Sequence, residues 1–295
     1  MRRAARSFGH RTVDELVIGD EASLRHVALY SELKDVLRRS AYEFRVLPPS
    51  AAARADRALF LNLTFWTATA GGDILVDERI EADVVAHAAW HHLAARALAT
   101  APGEPPSVDA LFLGEAIASA FDVYLVGRLL GHAPRSSFLE TQVPAMAEAA
   151  HAAGLSAHRF EQLLASIARD PDRAFADLRE LLSDATSAIY ECRTGEEALS
   201  ALATFDRHRF GALLHRYELS NWVLYARAYG DSRGSRGRRD RVRARAVDRA
   251  LRKQKAPLDW LAARWIEPSV PSTTPRSKRG AAGPGPLERG RTWQK

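Results

Sequence analysis

The chain has 295 residues, 46% hydrophobic and 26% charged, with 42 Lys+Arg against 36 Asp+Glu for a net charge of +6. These proportions belong to a folded globular protein and exclude collagen-like, silk-like, mucin-like and wholly disordered chains. A lone cysteine, Cys192, excludes a disulfide framework and any centre built on two thiolates, and fits a reducing compartment.

The N-terminal stretch MRRAARSFGHRT has the charges of an export signal but no apolar segment behind them. Residues 21–44 place Leu24, Val27, Leu33, Val36 and Leu37 at helical spacing and stop before the Leu47-Pro48-Pro49 break. LFLNLTFW at 59–66 is strand material, and the Gly71-Gly72 turn leading to ILV at 74–76 predicts a small hairpin, with helix as the alternative for the first of these segments. Helix resumes from about Asp83 to Ala99. After the loop APGEPP, Ser107 is placed to cap a long helix ending at Gly131. Its run from Ala110 to Gly131 is the most hydrophobic of the chain but contains Glu115, Asp122 and Arg128, which are costly inside a bilayer. It reads as a core helix, and a cytoplasmic protein is expected.

From 137 to 229 the pattern is helical, punctuated by Gly154, Asp170-Pro171 and Thr194-Gly195, with no repeat of fixed period. DSRGSRGRRD after Gly230 has linker composition, a basic helix follows over 239–254, and a short piece spans Trp260–Trp265. The expected organisation is a helical domain over 12–230, a basic linker with short helices over 231–270, and a disordered tail over 271–295. Charge divides the same way: residues 231–295 carry +12 and the first 230 carry −6.

The segment HAAWHH, residues 87–92, sets His87 and His91 four positions apart, so both rings leave one side of a helix in the geometry that chelates a metal ion. Val84, His87, His91, Ala95 and Leu98 share that stripe on a helix apolar almost all round, which is expected to be buried. Downstream, Glu115, Ser119 and Asp122 fall on one face with Leu111, Val126 and Leu129. Two carboxylates on an apolar face need a metal or protonated histidines to offset their desolvation. The short connection makes the two helices antiparallel neighbours, so two histidines and a carboxylate form a natural set of three ligands. A purely structural polar cluster is the competing reading of the same residues.

HAAWHH followed by GEAIA at 114–118 resembles the zinc metallopeptidases of the gluzincin group, in which HExxH on one helix is completed by a Glu in an (N/G)-E-x-x-A segment of a later one. The resemblance covers residues 80–130. It implies zinc held by His87, His91 and Glu115, with Asp122, and Ser119 beside it, fixing the ligands from behind. The sequence departs from the family at the general base, whose position is Ala88. A methyl group takes no proton from a metal-bound water, so peptide hydrolysis is expected to be lost or impaired. His92 and Glu78 are the nearest titratable alternatives.

Residues 205–230 hold further candidates. His208, His215 and Glu218 can share a helical face, and Tyr217 or Tyr225 can stabilise an oxyanion, although an amphipathic core helix explains the same segment. A helical bundle with inward carboxylates and histidines raises a di-iron carboxylate alternative, but the expected Glu-x-x-His pairs are missing. There is no G-x-S-x-G, phosphate-binding P-loop or G-x-G-x-x-G. In the basic helix, Arg238, Arg241, Arg245, Arg249 and Arg252 make one stripe able to follow nucleic acid or an acidic surface, with Val242, Ala246 and Ala250 expected to face the body.

The expectation is a mainly α, multi-helix zincin-like domain with a small β-hairpin element and a disordered basic C-terminal tail. Its leading function is that of a zinc-binding, metallopeptidase-like protein. A non-enzymatic helical interaction protein with a structural His/Asp/Glu cluster is the alternative.

Overall fold

The computed structural model describes residues 8–48, 73–98, 106–230 and 235–266. The strand expected at 59–66 and the tail at 271–295 lie outside these residues. The described protein is mainly α, with short strands only near its N-terminus. Strands β1 (Gly9–Thr12) and β2 (Val17–Gly19) precede a single helical turn, α1 (Glu21–Leu24), and helix α2 (Ala28–Arg39). β3 (Glu43–Val46), β4 (Ile74–Leu75) and β5 (Arg79–Glu81) complete the strands.

One expectation is corrected here. The helix predicted over 21–44 is broken, because Val27 takes an extended conformation between α1 and α2, and residues 43–46 are strand. In β3 the alternation of exposed Glu43, buried Phe44 and buried Val46 suits a sheet with one face on the core. β4 has β3 as its partner, in parallel, while β3 pairs antiparallel with β1. β2 and β5 form a separate parallel pair.

Helix α3 (Ala82–Leu98) starts directly after β5, and α4 (Val108–Leu130) follows. Ser107 caps α4 as expected, its hydroxyl accepting from the Ala110 N–H at 3.2 Å. α4 is buried on nearly every side and packs most extensively on α7 (Pro171–Glu191) and on α3. Two glycines permit these approaches. A Cβ on Gly114 would lie 3.2 Å from the Ala94 methyl of α3, and one on Gly127 would lie 3.0 Å from the Pro171 Cβ at the start of α7. Small residues at such crossings let backbones come close, and Gly114 adjoins Glu115.

Helices α5 (Ser137–Ala152), α6 (Ala157–Arg169), α7 and α8 (Gly195–Ala203) break where Gly154, Pro171 and Thr194 predict. Residues 211–217 form a 3-10 helix before α9 (Leu219–Tyr229). The basic helix α10 (Ser235–Leu251) lies against α4, and α11 (Pro257–Leu261) continues into a π turn over 262–266.

Candidate metal centre

The crossing of α3 and α4 runs antiparallel, with His87 beside Asp122, His91 beside Glu115, and Ala94 against Gly114. The close contact at Ala94 and Gly114 thereby sets two histidines of one helix against a carboxylate of the next. His87 Nε2 and His91 Nε2 are 3.1 Å apart. His91 Nε2 is 3.1 Å from Glu115 Oε2, and His87 Nε2 is 3.7 Å from Glu115 Oε1. Two ligand atoms each about 2.1 Å from a tetrahedral zinc ion stand about 3.4 Å apart. The histidine pair is close to that value, each histidine has a different Glu115 oxygen near it, and one ligand atom from each of the three residues lies within 4.8 Å of the others, so the group can hold a metal ion.

Unmet demands in the cluster point the same way. Two imidazole nitrogens at 3.1 Å need a proton or a cation between them. Glu115 is 6% exposed, and its Oε2 has no aligned hydrogen-bond donor despite the short distance to His91. Its other oxygen accepts from the Ser119 hydroxyl at 3.4 Å. Behind the ligands, Asp122 stands 3.6 Å from His87 Nδ1, where it fixes the ring with Nε2 turned toward Glu115.

The electrostatics follow from this geometry. Burial disfavours the His87 imidazolium, but hydrogen bonding and charge from Asp122, with the charges of Glu115 and Asp73, outweigh it and push its pKa up to about 9. Burial raises the Glu115 carboxyl, yet the facing histidines hold it below its usual value. Asp83 lies one turn before His87. Burial and the Asp122 charge drive it up to about 7.

Of the sequence candidates, the structure brings together His87, His91, Glu115, Ser119 and Asp122. His92 faces elsewhere, edge-on to Tyr42 at 5.2 Å, and burial with the Arg96 charge pulls its pKa down to about 4. Glu78 is tied to Arg11 at 2.6 Å and is half exposed. Ala88 is fully buried in the hydrophobic core. The helical face expected for His208, His215 and Glu218 does not exist. Turns and a 3-10 helix carry the two histidines, and Glu218 sits at φ 47°, between that helix and α9, its carboxylate accepting from Asn221. His215 is exposed, whereas Tyr225 is buried in the core.

The arginine stripe is turned the other way from the expectation. Arg241 and Arg245 reach Asp109 of α4 at 3.0 and 2.7 Å. Arg252 grips Asp184 of α7 with two nitrogens, at 2.6 and 3.1 Å. Arg249 donates back to the Arg245 carbonyl oxygen. The Arg238 side chain lies outside the described residues. Val242, expected to face the body, is 62% exposed.

Sequence reasoning missed Asp83, Asp73 and Tyr42. Asp83 is four residues before His87 on the same helical stripe, a signal present in the spacing. Asp73 accepts from the Tyr42 hydroxyl at 3.0 Å and reaches the His87 field through the β3–β4 pairing, which no local pattern announces. No family model matches the chain, and neither the curated proteins nor the solved structures contain a match to it.

Proposed function

We propose that this protein binds zinc through His87, His91 and Glu115, in a metallopeptidase-like arrangement whose peptide hydrolase activity is lost or impaired. The observation that carries the reading is the convergence of two Nε2 atoms and a buried carboxylate within 4.8 Å of one another. Two imidazoles and one carboxylate favour zinc over magnesium or calcium, which take oxygen ligands. A bound zinc supplies Lewis acidity and lowers the pKa of a coordinated water.

The chain's own residues account for the impairment. Position 88 offers only a methyl group, and that methyl belongs to the core. A glutamate placed there would have to leave the core to reach the cluster. The buried Ala88 is also what favours a second reading, in which the same cluster is a structural tie between α3 and α4. The di-iron alternative needs two carboxylate–histidine sets, and the described residues assemble one group of three ligands.

Metal analysis of the purified protein tests the reading. We expect about one equivalent of zinc, absent from His87→Ala and Glu115→Ala. At a zinc concentration about 100 times Kd, binding adds about 2.7 kcal/mol, a rise on the order of 5–10 °C in the unfolding midpoint. Metal-free protein whose midpoint ignores added zinc would overturn it.

A further inference from the structure

The chain beyond α10 folds back across the helices that carry the candidate metal centre. Pro257 opens α11, and Leu258 and Leu261 are buried. The π turn over 262–266 is one residue wider than an α turn, so Leu261 and Ile266, five apart, both reach the core. The same turn presents Trp265 to α3, its ring edge-on to Trp90 at 6.5 Å. Arg39 of α2 donates to the Ile266 carbonyl oxygen at 3.5 Å, and the Arg264 guanidinium covers the Trp260 ring at 4.4 Å. Residues 257–266 thereby touch α2, α3 and α7.

Trp90 is the residue of α3 that this segment reaches. It is 0% exposed, and its Nε1 has no hydrogen-bond acceptor among the described residues, so no polar bond fixes the ring. Packing alone orients it, with Phe121 of α4 edge-on at 5.6 Å and Trp265 as its aromatic partners. Trp90 precedes His91 and Phe121 precedes Asp122, so the aromatic contact and the histidine–carboxylate contact are neighbouring strips of one α3–α4 crossing. Loss of the Trp265 ring would leave a void toward which Trp90 and α3 relax in part. A ligand set tolerates about 0.5 Å of such movement. The separations at stake are 3.1 Å from His91 to Glu115 and 3.7 Å from His87 to Glu115.

The geometry points to residues 257–266 as a strap that positions the metal centre through α3. Seated on Trp90, it holds α3 at the spacing from α4 that His87, His91 and Glu115 need to share one ion. Trp265 is a positioning residue, acting through Trp90 rather than on the ion. The inference rests on the zinc reading above and adds a point of control to it, because whatever seats or unseats the strap tunes the metal affinity. Linkage makes the effect reciprocal. If an unseated strap weakens zinc binding by a given factor, bound zinc holds the strap down by the same factor.

The test is the zinc affinity of the full chain, read by competition with a chelating dye, together with the visible absorption of the cobalt(II)-substituted protein. Trp265→Ala should weaken zinc binding about tenfold and lower the cobalt absorption of a four-coordinate site, as when a supporting partner of a metal ligand is removed. Trp265→Phe keeps an aromatic ring against Trp90 and should stay within about threefold of the parent, with its spectrum intact. Leu163→Ala on α6 is the control, since it opens a core void elsewhere and costs stability, yet should leave zinc affinity unchanged. In the parent chain, hydrogen exchange of residues 257–266 should slow about tenfold at saturating zinc. That measurement needs no variant and decides the matter if Trp265→Ala does not fold. Unchanged zinc affinity in Trp265→Ala, an equal loss in Leu163→Ala, or exchange of 257–266 indifferent to zinc would each overturn the strap and leave the zinc reading standing. A parent chain that binds no zinc overturns both.

Discussion

At His87 a proton would compete with the metal ion proposed above. Its imidazolium is favoured up to about pH 9 in the metal-free protein, so a metal must displace that proton, and zinc affinity should rise with pH until about that value. Stability of the metal-free protein runs the opposite way. A histidine raised from 6.5 to about 9 contributes stability that is complete below 6.5 and is lost as pH climbs through 9. Asp83, raised from 3.8 to about 7, likewise contributes below 3.8 and loses that contribution as pH passes 7. Urea midpoints measured in chelator should therefore fall between about pH 4 and 9. Asp83→Asn should flatten the lower part and gain up to about 4 kcal/mol at pH 8, because the Asp83 pKa is raised by about 3 and each step of one is worth about 1.4 kcal/mol. A flat profile in the parent would contradict this account. The His87, His91 and Glu115 cluster was legible because spacing of four in HAAWHH and the placing of Glu115 are local facts. The surrounding field was not, since Asp73 arrives through strand pairing.

Among the elements, α3 and α4 were legible from apolar periodicity, and the start of α4 from Ser107. The break between α1 and α2 was not, because Leu24 and Val27 keep helical spacing across it. The facing of α10 was also illegible. Its small apolar side chains suggested one side, but alanines bury little area, and Asp109 and Asp184 reward the arginine side more strongly. The clasp has a vulnerable member in Asp248. Arg179 is 0% exposed and donates to Asp248 at 2.5 Å, with the partly buried Glu180 as a second, 3.3 Å partner. Asp248→Ala strands most of a buried charge, and equilibrium urea unfolding should register a loss of about 3 kcal/mol. A loss below about 1 kcal/mol would show that Glu180 suffices.

At the scale of the molecule, the net charge of +6 is the sum of an acidic body and a basic C-terminal stretch. α10 is where the two meet. Most of its ion pairs lie near the surface, and raising salt from 0.1 to 1 M shortens the screening length from about 10 Å to about 3 Å. Hydrogen exchange should then speed up in α10 by about tenfold while α3 and α4 keep their protection. Equal acceleration in α4 would mean that α10 does not open as a separate unit.

The burial of α4 has a consequence for synthesis. This 23-residue helix is long and apolar enough to cross a bilayer, yet 94% of its most apolar stretch is covered in the fold. Its principal cover, α7, ends at Glu191. At 5–20 residues per second, roughly 3–12 s of translation separate the last residue of α4 from the last residue of α7. For that interval the most lipid-like segment of the nascent chain is only partly sheltered by α3. The order in which helices leave the ribosome therefore makes α4 the segment most in need of a chaperone.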